Sequence, residues 1–137
     1  MPRILGLDYG DKRIGVSLSD PLKLIATPHT VLKNEGISKL LKDLKKIINE
    51  KIIDTIVIGL PIDMKGNDTL QTLKVRRFKS QIESLNVKIF FEDERLSSSM
   101  AKKSMIIQRI KTGHNKNIID KRAASIILQQ FLNKKSR

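Results

Sequence analysis

A chain of 137 residues, 39% hydrophobic and 30% charged, can bury one core and is too short for two domains of ordinary size, so residues 1–137 are read as a single globular domain. The absence of cysteine excludes disulfide scaffolds and thiolate chemistry and points to a reducing compartment, while no apolar run is long enough to span a membrane. With 27 Lys and Arg against 14 Asp and Glu, the net charge is +13, which favours a nucleic-acid partner gripped by its backbone, since aromatics for base stacking make up only 4%.

In chain order, Arg3-Ile4-Leu5-Gly6-Leu7-Asp8-Tyr9 reads as a central strand buried on both faces. Met1-Pro2-Arg3 leads straight into it with no signal-like stretch, which suggests a cytoplasmic protein. Gly10-Asp11-Lys12 is a turn, Arg13–Ser19 alternates as a second strand, and Asp20-Pro21 turns again. Leu24–Leu32 is a third strand, with Pro28 marking a sheet edge. Turns this short imply an antiparallel meander. Ile37, Leu40, Leu41, Leu44, Ile47 and Ile48 then recur at helical spacing, with Lys39, Lys42, Lys45 and Lys46 elsewhere on the surface. Asp54–Leu60 is a buried, β-branched strand ended by Pro61. Asp68 is placed to cap a second helix, with Gln71 at the capping-box position, running to about Leu85. Val87–Phe91 is a fifth strand. A helix over Ser98–Arg109, a basic, turn-rich loop over Arg109–Lys116 and a last helix from Asn117 to Asn133 complete the chain. This order predicts an α/β fold. Its five-stranded mixed sheet is a three-strand antiparallel meander plus two parallel strands, flanked by helices.

Asp8 demands a chemical explanation. An ionised carboxylate in a buried strand costs several kcal/mol unless compensated, and no cation lies near it within the strand. It shares a strand face with Ile4 and Gly6, and Gly6 leaves room beside it for a ligand or metal. Asp120 is the second candidate. It continues the stripe Ala123, Ala124, Ile127 and Phe131, the face of the last helix that meets the sheet. An ordinary acid in a first helical turn faces water; this one shares the buried stripe. The third candidate lies in Glu92-Asp93-Glu94, three consecutive acids where the fifth strand ends. Alternation does not choose between Asp93 and Glu94 at a strand end.

Three carboxylates from distant segments make an oxygen-ligand site for Mg2+ or Mn2+. Two such ions, about 4 Å apart, activate a water and stabilise the leaving oxygen in phosphodiester hydrolysis. Zinc is disfavoured, because His29 and His114 lie far apart and there is no cysteine. No Ser-His-Asp, Walker A or GxGxxG pattern is present.

These residues fall in blocks that resemble a known family. Gly6-Leu7-Asp8-Tyr9-Gly10-Asp11-Lys12-Arg13-Ile14-Gly15-Val16 is similar to the opening motif of the YqgF/RuvX family of pre-16S rRNA nucleases, also described as Holliday junction resolvases. Ile58-Gly59-Leu60-Pro61 with Gly66, then Asp93-Glu94-Arg95-Leu96-Ser97-Ser98, then Asp120-Lys121-Arg122-Ala123-Ala124-Ser125-Ile126-Ile127-Leu128 resemble its later blocks, in order. Ser98 stands where the family commonly has Thr. The resemblance implies an RNase H-like fold and metal-dependent nuclease chemistry, with Asp8, Glu94 and Asp120 as catalytic metal ligands. It implies Arg13 and Arg95 at phosphate or holding the acids. Arg109, Lys111 and Lys116 of the basic loop are expected to add substrate affinity.

The leading expectation is a nuclease acting on pre-16S rRNA in ribosome biogenesis, with a four-way DNA junction resolvase as the alternative. Both use the same acids and leave monomer or homodimer open. Asp8-Tyr9-Gly10 followed by Gly15 also resembles the first phosphate motif of actin- and hexokinase-like ATPases. Those enzymes close two related domains over the nucleotide and favour Thr or Ser where Asp11 stands. The remaining alternative is a non-catalytic RNA-binding module in which only the basic surface matters.

Overall fold

Alternation along Arg3–Tyr9 (β1) sends Leu5 and Leu7 to one face of a sheet and Ile4 to the other, and both faces are covered. The computed structural model describes residues 1–94 and 116–135. After β1 come β2 (Arg13–Ser19), β3 (Ala26–Lys33), α1 (Ile37–Lys51), β4 (Ile53–Leu60) and α2 (Leu70–Ile82). A 3-10 turn over Glu83–Leu85, β5 (Lys88–Asp93) and α3 (Lys116–Lys135) follow. The strands form one sheet in the order β3-β2-β1-β4-β5. β1 pairs antiparallel with β2 and β2 with β3; β1 pairs parallel with β4 and β4 with β5. This is the mixed topology that the spacing of elements predicts.

Two cores sandwich the sheet. Leu5, Leu7, Ile56 and Ile58 pack against Leu40, Leu44 and Ile47 of α1 and against Val75, Phe78 and Ile82 of α2. On the other face, Ile4 and Val57 pack against Ile127, Leu128, Phe131 and Leu132 of α3. The apolar spacing of α1 therefore reads as core, and its lysines stay outside it.

Several boundaries differ from the sequence reading, each for a local reason. β3 begins at Ala26 and not at Leu24, because Asp20 Oδ1 accepts the backbone N–H groups of Leu24 (2.7 Å) and Ile25 (2.9 Å). Those two residues belong to the turn and stay exposed. β5 runs on to Asp93, because parallel pairing with β4 continues to Leu60↔Asp93. The cap of α2 is Thr69 with Thr72, one residue beyond Asp68 and Gln71: each threonine hydroxyl accepts the other's backbone N–H. Asp68 instead forms a two-pronged pair with Arg76, and Gln71 donates to the Tyr9 carbonyl at 3.3 Å. The helix predicted over Ser98–Arg109 lies outside the described residues, as does the loop over Arg109–Lys116 except for Lys116, which opens α3.

α3 lies unusually close to β1 and β2. Gly15, Ser17 and Ser19 share the β2 face that α3 covers, opposite Ala123 and Ala124. Ser17 Oγ donates to the Ala124 carbonyl at 2.8 Å. A Cβ built on Gly15 would lie 2.0 Å from the Asp120 carbonyl oxygen. The space beside Gly6, expected to admit a ligand, is filled by α3: a Cβ there would lie 2.7 Å from Leu128 Cβ. At its C-terminal half, α3 is tied to β5 by Lys134 Nζ, 2.9 Å from the buried Glu92 carboxylate.

Gly15→Ala sets a methyl against a backbone atom that no rotamer change can move, and overpacking of this kind costs about 1–3 kcal/mol. The variant is expected to lower the urea midpoint with the slope unchanged. A midpoint equal to the parent's would show that α3 does not rest on β2.

Candidate active site

Strand register brings the sequence-predicted acids to one end of one sheet face. Asp8 sits where β1 leaves the core and is half-buried, less enclosed than a strand buried on both faces suggests. Its antiparallel partner is Gly15, so both residues present to the same face. That face is the one carrying α3, since the Asp120 backbone rests on Gly15. Asp8 and Asp120 are thus neighbours across β1 and β2, although 112 positions separate them along the chain (120 − 8).

The third acid comes through the parallel strands. Leu7 pairs with Ile58, so Gly59 lies beside Asp8. Gly59 pairs in turn with Glu92, whose carboxylate accepts a hydrogen bond from Gln130 of α3. Glu94 follows two residues later on the same face. Its carboxyl carbon would stand 3.2 Å from a Cβ at Gly59, and the residue is 7% exposed. Asp93 pairs with Leu60, which belongs to the opposite core. The alternation that is ambiguous from the sequence is therefore decided by register. Glu94, and not Asp93, shares the face of Asp8 and Asp120.

Arg13 reaches the same place. Its Nε donates to Asp120 Oδ2 at 2.8 Å, with both side chains partly exposed. Arg13 also pairs across the sheet with Lys33. Of the other basic residues expected at substrate, Lys116 is the first residue of α3, while Arg95, Arg109 and Lys111 lie outside the described residues. His29 lies on β3, and burial together with nearby Lys51 holds its imidazole below the ordinary pKa. His114 lies outside the described residues.

The donor chemistry suits a hard cation: three carboxylates, with no thiolate anywhere in the chain. As the side chains stand, no three acidic or histidine residues among those described are close enough to hold an ion together. The Asp120 carboxylate is turned to Arg13. Arg13 engages Oδ2 of Asp120, so it competes with any cation for that oxygen.

Sequence reasoning missed the residues that hold the acids in place. Ser17, Gln130 and Lys134 fix α3 against β2 and β5. A signal for the first exists: in β2, small Gly15, Ser17 and Ser19 alternate with large Ile14, Val16 and Leu18, which marks a face approached by backbone and not by side chains. Gln130 and Lys134 carry no such mark.

Relatives of this chain carry nuclease names. A protein named "Putative pre-16S rRNA nuclease" from Roseiflexus sp. is 40% identical over 131 residues, covering 95% of this chain and 93% of that protein. One of the same name from Clostridium kluyveri is 41% identical over 136 residues, covering 98% and 99%. Among solved structures, RuvC of T. thermophilus, in complex with a Holliday junction substrate, superposes with a TM-score of 0.62 at 11% identity. That match covers 99% of this chain and 96% of the other. The yeast mitochondrial Holliday junction resolvase Ydc2 gives 0.58 at 12% identity, covering 98% and 79%. At such low identity these two show the fold, which is RNase H-like. The family model described as "RuvX: Holliday junction resolvase" matches residues 2–134, and the chain belongs to that family.

Proposed function

We infer that this protein is a divalent-metal-dependent nuclease that hydrolyses phosphodiester bonds in pre-16S rRNA, serving ribosome biogenesis in the cytoplasm. One observation carries the reading. Asp8 and Glu94 stand at one end of the sheet face that α3 covers, and Asp120 of α3 rests over the same end, so three distant segments bring their acids to one place. The names borne by relatives across nearly their whole length support the substrate. The absence of cysteine favours the compartment. Among the described residues no helix is long and apolar enough to cross a membrane.

In this reading the three carboxylates would hold Mg2+ or Mn2+, and the chemistry such an ion would supply is activation of a water and neutralisation of charge on the phosphate. The protein's own part is positioning. Gly15 lets α3 lie on β2 at Asp120, and Gly59 leaves space for Glu94. Arg13 compensates Asp120 while no cation is bound and keeps it at the site. Gln130 donates to the Glu92 carboxylate and Lys134 pairs with it. Those two interactions keep a fourth acid from adding its charge to the cluster.

The description of the family model supports a second reading, cleavage of four-way DNA junctions. Precursor rRNA and a four-way junction offered side by side in Mn2+ decide between them. The rRNA reading expects cleavage of the RNA with the junction left intact, and the reverse outcome transfers the assignment to DNA.

Asp8→Asn, Glu94→Gln and Asp120→Asn are each expected to slow cleavage by on the order of 10³-fold, a loss of about 4 kcal/mol of transition-state stabilisation. RNA affinity should survive, and Asp93→Asn should cut as the parent does. Retained metal-dependent cleavage in any one of the first three variants removes that residue from the site. A second prediction concerns the ion pair. Arg13→Gln takes away a cation that competes for the Asp120 carboxylate, so Mn2+ should bind several-fold more tightly by calorimetry. Weaker binding in that variant would show that Arg13 supports the ion site and does not compete with it.

A further inference from the structure

Beyond the acids, the end of the sheet opens into two adjoining cavities. The first, of about 420 Å3, is lined by Lys12, Arg13, Lys33 and Val31. The second, of about 250 Å3, lies toward α1 and α2 and is lined by Tyr9, Lys74, Arg77 and Gln81. Asn34 lines both. It is firmly held: its Nδ2 donates to the Gly10 carbonyl at 3.0 Å and to the Tyr9 hydroxyl at 3.2 Å, and its backbone N–H donates to the Lys12 carbonyl at 2.9 Å. The two spaces therefore meet at a fixed corner, where the β1–β2 turn touches the connection from β3 to α1.

Over the described residues, the charge along this path is positive and largely uncompensated. Arg13 and Lys33 are direct cross-strand partners, and like charges so placed repel unless an anion lies between them. Asp120 pairs with Arg13 among the described residues. Among the described residues, no ion pair involves Lys12, Lys33 or Arg77. The two acids that line the first cavity are already occupied: Asp11 by Lys74 at 3.2 Å and Glu35 by Lys39 at 3.9 Å. The start of α1 borders the second cavity with no side-chain cap at Gly36, so its backbone N–H groups add to the positive field.

We propose that these cavities form one groove that holds the phosphodiester backbone of a single-stranded nucleic acid leading to or from the acids. The groove deepens the nuclease reading, on which the strand's identity as substrate rests. Phosphates on the acid side meet Lys12 and Lys33; those farther along meet Arg77. Asn34 sets the bend between them. Two small cavities that share Asn34 take successive nucleotides of one strand, whereas a duplex needs a broad open face.

The test uses the full chain and a short, fluorescently labelled single-stranded RNA, with binding read by anisotropy in EDTA so that no cleavage intervenes. The double variant Lys33→Gln/Arg77→Gln is expected to bind about tenfold more weakly at low salt, and the salt slope should fall by about 0.7 for each phosphate no longer neutralised. Lys45→Gln/Lys46→Gln, on the exposed side of α1, should change neither quantity. Equal losses in both double variants would reduce the effect to net charge and overturn the groove, as would parental affinity in the first. A perfect duplex bound as tightly, and weakened by the same two substitutions, would overturn the single-strand assignment. Because affinity is read without metal, the two readings fail separately. If the parent binds through Lys33 and Arg77 yet cuts nothing in Mn2+, the groove stands and the catalytic reading falls.

Discussion

The arrangement of the acidic end depends on one interaction, the seating of the first turns of α3 on β2. At Gly15 the helix backbone occupies the place a side chain would take. Ser17 then meets the Ala124 carbonyl one helical turn further along. Small residues on both partners permit this approach, and the helix carbonyl gives the buried Ser17 hydroxyl an acceptor. Asp8 is the cross-strand partner of Gly15, so the same seating fixes the spacing of Asp8 and Asp120. Burial of Ile127, Leu128, Phe131 and Leu132 drives the helix onto the sheet. The small residues decide how near it comes.

Electrostatics then gives this end its character. The chain carries a large excess of positive charge, yet it gathers Asp8, Glu92, Glu94 and Asp120 on one face. Carboxylates crowded together repel, and each needs a compensating cation or hydrogen bond. Arg13 serves Asp120 and Lys134 serves Glu92. Both pairs are partly open to water on the basic side, so each exchanges for another cation more readily than a fully enclosed pair would. A basic surface around an acidic end also draws a polyanion toward a place that would repel it without added cations.

The two faces of the sheet divide the work. The face toward α1 and α2 holds the larger core, centred on Leu5, Leu7, Ile56, Ile58 and Phe78, and supplies rigidity. The face toward α3 holds a smaller core and ends in the acids. The β1–β2 turn and the corner at Asn34 lie where the faces meet, so a strand crossing the sheet end passes from one to the other beside residues that hydrogen bonds hold in place.

Much of this was legible in local spacing. β1 and β2 fall on the residues that alternation and turn signals predict, and the stripe from Ala123 to Phe131 is buried as its period implies. Errors arose where local rules offer near-equivalent choices. Leu24 and Ile25 are apolar enough for a strand, but a single Asp20 oxygen claims both N–H groups. Asp68 and Thr69 both suit a helix cap, and the reciprocal bonds with Thr72 decide for Thr69. Taken alone, the sequence determined the kind and order of elements and the short list of acids, because these follow from periodicity and from the cost of burying charge. The family resemblance pointed to Glu94, but strand phase left Asp93 and Glu94 open, and only the tertiary structure decided that Glu94 faces α3 and that Arg13 pairs with an acid 107 positions away. Both depend on strand register and helix approach, which are set by packing between residues remote along the chain.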